Sequence, residues 1–333
     1  RFSPTYLKTH GHHITSAVLA EEAFEAAADP NRFPEQLKYT KVWQTKRLVW
    51  NTWKPQYIEG YDSSDLDSLN VGQFNVLLGQ DYREIAAQSR SMHKSQGFGA
   101  MKSRGELFEY FEHLSGEKSD GKLFSGIETT WARIEGGQKT SELLTKAYQE
   151  FDIEKPESIL PILLDTHREM QTLRGKRVAH KRKELENIIF QCAGIWTEVN
   201  SKTYSVTPND SLKLTVNVIK RSNFPVKLEQ IDFKYGTNKQ NIDLPKGTVK
   251  SIEKDIFLPS ETQNSQAYWL QKPSSKGMFV VDKQELIGMP ENPYPIPTKM
   301  DFVFGDKNPV KLSITEPVFY KWRDPVQGEK YRL

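Results

Sequence analysis

Ser211-Leu212-Lys213-Leu214-Thr215-Val216-Asn217-Val218 is the stretch on which the fold class turns. Leu212, Leu214, Val216 and Val218 alternate with Lys213, Thr215 and Asn217. Successive strand side chains point to opposite faces of a sheet, so this period of two predicts a strand with one buried face. Moving outward, Ile231, Phe233 and Tyr235 alternate in the same way with Asp232 and Lys234. Turn clusters at Pro208-Asn209-Asp210, Tyr235-Gly236-Thr237-Asn238 and Leu244-Pro245-Lys246-Gly247 fall at the intervals expected of a sandwich. Gly288 to Pro297 holds four of the 18 prolines and bridges into a last pair of strands, Phe302 to Phe304 and Val310 to Ile314. Residues 201–333 are therefore expected to be all-β and sandwich-like, in one or two modules.

Upstream of Asn200 the period becomes helical. Helices are expected over Thr140 to Phe151, Ile159 to Leu173 and Arg182 to Ile195, the last with Leu185, Ile188, Ile189 and Cys192 on one stripe. Residues 136–200 then form a helical connector. Nearer the amino end, Ile14, Ala17, Val18, Phe24 and Ala28 recur at helical spacing, with Glu21, Glu22 and Glu25 between them, up to Asp29-Pro30. Val42 to Trp53 is rich in aromatic and branched side chains and reads as a buried strand. Tyr57 to Gly79 reads as a loop, and Tyr82 to Met92 as a second helix running into His93. Helix and strand together make residues 1–135 an α/β layer.

Composition sets the outer bounds. A chain of 333 residues that is 37% hydrophobic and 27% charged has room for two or three domains. No window approaches the ~18 uncharged apolar residues of a membrane helix, so no span is expected. Lys+Arg 46 against Asp+Glu 43 gives +3 with the signs interspersed, which leaves no footprint of a nucleic-acid binder. The single cysteine, Cys192, excludes a disulfide framework and a zinc site built on several thiolates, so any metal must use imidazoles and carboxylates. The chain opens Arg1-Phe2-Ser3-Pro4, with neither Met nor a signal segment, and is expected to be a piece of a longer protein.

Three of the seven histidines fall within four residues, His10-Gly11-His12-His13, immediately before the first helix. Neutral imidazole is a common zinc ligand and His is the usual acid–base group near neutral pH, so the cluster reads as a metal or acid–base site. The alternative is a polar turn that caps the helix. A second segment, Ser89-Arg90-Ser91-Met92-His93-Lys94-Ser95-Gln96-Gly97-Phe98-Gly99, either orients a polar substrate or closes off a helix whose dipole His93 and Lys94 complement. His113, His167 and His180 read as surface residues. Trp43, Trp50, Trp53, Tyr57 and Tyr61 could stack on sugar rings or pack a core, the latter favoured for Trp50. Asp62, Asp65 and Asp67 lack the Gly and distal Glu of a calcium loop. No nucleophile elbow, phosphate-cradling loop or dinucleotide fingerprint occurs, which argues against serine hydrolases, nucleoside-triphosphatases and dinucleotide enzymes.

The two histidine segments together resemble the PIG-L/LmbE-like family of zinc-dependent de-N-acetylases. His10-Gly11-His12-His13 resembles the family's His-Pro-Asp-His motif before a helix, and Ser89 to Gln96 resembles its Ala-x-x-x-His-x-Ser-Gln segment. Phrases such as Arg32-Phe33-Pro34-Glu35-Gln36 and Lys46-Arg47-Leu48-Val49-Trp50-Asn51 resemble large multidomain bacterial members. The resemblance implies that residues 1–135 are the later part of a Rossmann-like catalytic domain that removes the N-acetyl group from an N-acetylglucosamine-type sugar or glycoconjugate. It implies zinc, with His13 as a ligand and His10 stabilising or protonating the tetrahedral intermediate. His93, Ser95 and Gln96 would shape the site. The family's earlier Ala-His-Pro-Asp-Asp-Glu motif, source of two zinc ligands and the general base, is absent, so those groups are expected from a missing N-terminal segment. Gly11-His12 replaces Pro-Asp, which makes His12 an alternative ligand or site-shaping residue. A periplasmic or secreted location is expected by the same resemblance. The rival reading is a noncatalytic carbohydrate-binding or scaffold protein that keeps the fold.

Overall fold

The computed structural model describes Ser3 and residues 10–52 and 64–332. Mixed helix and sheet divide between two compact units, Arg1–Glu128 and Thr129–Leu333.

In the first unit the helix α1 (Gly11–Ala26) is followed by strands β1 (Arg47–Asn51), β2 (Asp67–Asn70), β3 (Phe74–Asn75) and β4 (Gln80–Asp81), then helix α2 (Tyr82–Ser91) and strand β5 (Phe108–Gly116). The sheet order is β1-β5-β2, and β3 pairs with β4; every pairing among the described residues of this unit is antiparallel. The helix spacing read around Ile14 holds for α1, yet Phe24 is its one fully buried residue and Val18 is exposed. Phe24 reaches the sheet at Gly116, where φ is +83° and an added Cβ would strike both the Lys46 carbonyl and the Phe24 ring. The expected strand from Val42 begins only at Arg47, because Trp43 instead closes the end of α1 through an N–H bond to the Ala27 carbonyl (2.8 Å). Trp53, at its other end, and Tyr57, Tyr61 and Asp62 lie outside the described residues. Arg47 fastens the segment after β5, its guanidinium donating to the carbonyls of Glu117 (2.7 Å), Leu123 (2.7 Å) and Ser125 (3.2 Å).

The second unit opens with helices α3 (Gln138–Gln149), α4 (Leu160–Thr172) and α5 (Lys176–Cys192). Strands follow as β6 (Ile195–Ser201), β7 (Ser211–Lys220), β8 (Val226–Phe233), β9 (Gly236–Asp243) and β10 (Lys250–Phe257). The last four are β11 (Thr298–Phe304), β12 (Val310–Glu316), β13 (Val318–Asp324) and β14 (Gly328–Arg332). They form a five-stranded sheet, β10-β7-β6-β13-β14, and a four-stranded sheet, β12-β11-β8-β9. Among the described residues, all strand pairs within these two sheets are antiparallel except β13 with β6. The alternation in β7 places Leu212, Leu214, Val216 and Val218 in the core, as its period requires. Inward residues of both sheets join Leu160, Leu163, Leu164, Leu185, Ile189 and Phe190 of α4 and α5 in one buried cluster. Phe190 lies edge-on to Phe302 (5.4 Å) and Phe304 (5.3 Å), the arrangement aromatic quadrupoles favour. The helices thus share a core with the strands. No described helix is long and apolar enough to cross a membrane.

Candidate functional site

His10 is the last extended residue before α1, with φ −70° and ψ 149°. Its carbonyl accepts the first helical hydrogen bonds, from the N–H groups of His13 (2.9 Å) and Ile14 (3.2 Å), while its imidazole caps nothing. The opening turn therefore gathers three imidazoles. The rings of His12 and His13 are 4.4 Å apart between centroids; His10 lies 5.8 Å from His12 and 5.9 Å from His13. The first turn carries no acidic residue. His13 is held below the ordinary imidazole pKa, first by desolvation and then by repulsion from His12 and His10. This biases it toward the uncharged form, the one that donates a lone pair to a metal.

Whether these residues fit zinc follows from the donor set. In kind they fit, since neutral imidazole nitrogen is a standard zinc donor. In number they fall short: no group of three or more His, Cys, Asp or Glu among the described residues is placed to hold a metal ion. A catalytic zinc takes about three protein ligands.

The second segment lies just past α2. His93 enters a single short turn over Lys94–Gln96, which ends at Gly97 with φ +65°. The Gln96 N–H donates to the His93 carbonyl (3.2 Å), and the Ser91 hydroxyl oxygen accepts from the Ala100 N–H (3.0 Å), drawing the loop ends together. The His93 ring meets the edge of Phe98 at 6.2 Å, and the Arg90 guanidinium stands 5.3 Å from the centre of the same ring. His93, Ser95 and Gln96 are all exposed. His10, His12 and His13 are thus brought together as one cluster, and His93, Ser95 and Gln96 as another.

The remaining candidates resolve differently. Trp50 is 2% exposed in β1 and packs the core; Trp43 is exposed. The carboxylate of Asp65 pairs with Lys118 and that of Asp67 with the Ser119 hydroxyl, so both tie down a loop. His180 is an exposed partner of Glu184, and His113 bonds through Nε2 to the Gly116 carbonyl (3.0 Å). His167 is not a surface residue: it is 2% exposed, because Leu160, Leu163, Leu164, His167 and Met170 make the buried stripe of α4. Its Nε2 meets Glu186 Oε1 at 3.2 Å, and its buried Nδ1 has no hydrogen-bond partner among the described residues. The spacing from Leu160 and Leu164 was the available signal. Burial raises the pKa of the Cys192 thiol, which keeps it protonated and inert.

No protein-family model matches the chain, and no curated protein matches it.

Proposed function

We propose that the first unit belongs to a zinc-dependent amide hydrolase of the PIG-L/LmbE-like type, removing the N-acetyl group from an N-acetylglucosamine-type sugar or glycoconjugate. The observation that carries this reading is the cluster of His10, His12 and His13 at the start of α1, with His13 biased to its neutral form. In this reading His13 donates to the metal. His10, exposed at the mouth of the helix, carries or donates a proton toward the oxyanion that forms on the amide carbonyl. His12 stands beside both as an alternative donor, and His93, Ser95 and Gln96 present polar groups to the sugar. Zinc, when bound, polarises an amide carbonyl and lowers the pKa of water toward ~7. In this reading residues 1–135 are the later part of a Rossmann-like catalytic domain, and the other ligands and the general base come from the remainder of that domain. Handling of exported glycans, in the periplasm or after secretion, goes with this reading.

A second reading draws on the shortage of ligands among the described residues: a noncatalytic carbohydrate-binding or scaffold protein. One experiment separates the two. Zinc content and acetate release from N-acetylglucosamine derivatives are measured on the full-length gene product, beside His13→Ala and His10→Ala. The hydrolytic reading expects His13→Ala to lose zinc and activity together. It expects His10→Ala to keep zinc while slowing acetate release by about 10²- to 10⁴-fold. Activity untouched by His13→Ala removes the assignment, and sugar binding without acetate release favours the second reading.

A further inference from the structure

Within the second unit, one sheet face changes character along its length. Val318 of β13 pairs with the fully buried Val199 of β6, so the face that carries residues 318, 320 and 322 is the core side of the sheet. Beyond Val318 that face turns aromatic, with Tyr320 and then Trp322. The β13–β14 register sets Arg332 opposite Tyr320 and Lys330 opposite Trp322, on the same side. The rings of Tyr320 and Trp322 lie 5.7 Å apart and within 22° of parallel. Tyr204, from the loop after β6, meets Tyr320 edge-on at 6.2 Å. Trp322 is 40% exposed and Tyr204 68%.

Beside Tyr320 and Trp322 the charge on this face is one-sided, the nearest strand partners being Arg332 and Lys330. On the opposite face Lys321 is neutralised by Glu198 (2.5 Å) and Glu329 (3.0 Å). Among the described residues no carboxylate pairs with Lys330 or Arg332. Asp324, the acid of matching parity, is occupied in the hairpin turn by the N–H groups of Val326 (2.9 Å) and Gln327 (2.8 Å). Exposed rings beside cations that no described carboxylate pairs with call for a ligand with apolar flat faces and negative charge. A pyranose offers C–H faces to an aromatic ring, and a uronate carboxylate matches a guanidinium.

We propose that Tyr204, Tyr320 and Trp322, flanked by Lys330 and Arg332, form a binding site for an acidic oligosaccharide. Two cations are few for tracking a phosphate backbone, which favours the glycan over single-stranded nucleic acid. The site lies wholly in the second unit and stands independently of the hydrolytic reading.

The test is calorimetric titration of the full chain with hexasaccharides of hyaluronan, polygalacturonate and alginate, with neutral chitohexaose and a decameric oligouridylate alongside. At least one acidic hexasaccharide binds more tightly than chitohexaose, and its affinity falls as salt is raised. Trp322→Ala, Tyr204→Ala and the pair Lys330→Gln with Arg332→Gln each weaken it by about tenfold or more while the melting temperature holds. Three results overturn the proposal: no acidic hexasaccharide binds, the variants bind as the parent does, or oligouridylate binds more tightly than every sugar.

Discussion

At His167 a titratable ring occupies a position that the periodicity of α4 reserves for an apolar side chain, and the consequence is a pH-dependent fold. Burial lowers its pKa most; the Glu186 carboxylate opposes that, and the Arg182 and Arg168 guanidiniums reinforce it. A histidine whose folded pKa lies below its unfolded value of about 6.5 binds fewer protons when folded. Its contribution is complete above that value and is lost as pH falls toward the folded pKa. The melting temperature of the second unit is therefore expected to decline as pH drops from 7 through 6.5 toward 5. His167→Leu, which removes the titrating ring and fills similar space, is expected to flatten that decline while changing stability at pH 7.5 by about 1 kcal/mol or less. Thermal melts across pH 5–7.5 decide it; an unchanged slope in the variant would show that other groups carry the acid sensitivity. The same residue shows where sequence reading stops. Three histidines within four residues announce a cluster directly, since one helical turn must bring them together. A solitary histidine is read by its polarity, and only its place on a leucine stripe reveals that it is buried.

Elements were legible where a single period ran undisturbed. The alternation of β7 and the helical spacing of α2, α3 and α4 follow from side chains that each have one apolar side. β5 has no such run: Leu114 is skipped in its pairing with Leu48 and Val49 of β1, and most of its residues sit half-buried with Phe108 and Leu114 exposed. α5 begins at Lys176, six residues ahead of the expected start at Arg182, since charged residues extend a helix without signalling it. α2 has a sharper determinant in Asp81-x-x-Glu84. Asp81 accepts from the Arg83 N–H (2.8 Å) and from the Gly105 N–H (3.0 Å), while Glu84 accepts from the Asp81 N–H (3.1 Å). That box orients the helix whose end carries His93, and it ties the helix start to the segment entering β5. Asp81→Ala is expected to cost about 1–2 kcal/mol, with Asp81→Asn recovering part of it. Backbone donors at Arg83 and Gly105 also hold the Asp81 carboxyl below its usual range, so its contribution is present above about pH 4 and fades as pH falls further. Hydrogen exchange in residues 82–91 reads the loss locally, and unchanged protection in Asp81→Ala would refute the assignment. Gly116→Ala tests the other anchor of this unit. With φ at +83° and the Lys46 carbonyl in the way, it is expected to destabilise by about 2 kcal/mol or more and to loosen Phe24.

For the whole molecule, the decisive question is which lengths of chain own a core. The sequence suggests a change of character near residue 200, where helical spacing gives way to alternation, because periodicity reports each element's own buried side and not what covers it. In the fold that change of period is not a change of core: Leu163, Ile189 and Phe190 from the helices sit in the same buried cluster as Val216, Ile231 and Phe302 from the strands. Residues 129–333 are accordingly expected to fold alone and to melt in one cooperative transition. Residues 201–333 alone would lack both β6, the middle strand of the five-stranded sheet, and the helical side chains that cover Phe302 and Phe304. That shorter piece is expected to aggregate or to bind hydrophobic dye. Phe190→Ala in residues 129–333 removes an aromatic ring packed against two others and is expected to cost about 3–5 kcal/mol. For a unit of this size that lowers the melting point by roughly 2–4 °C per kcal/mol. Because helices and sheets share the core, the loss must appear equally in far-ultraviolet signals at helical and strand wavelengths. Two separate transitions, with the strands melting at their original temperature, would mean that the helices merely rest on an independently stable β-structure.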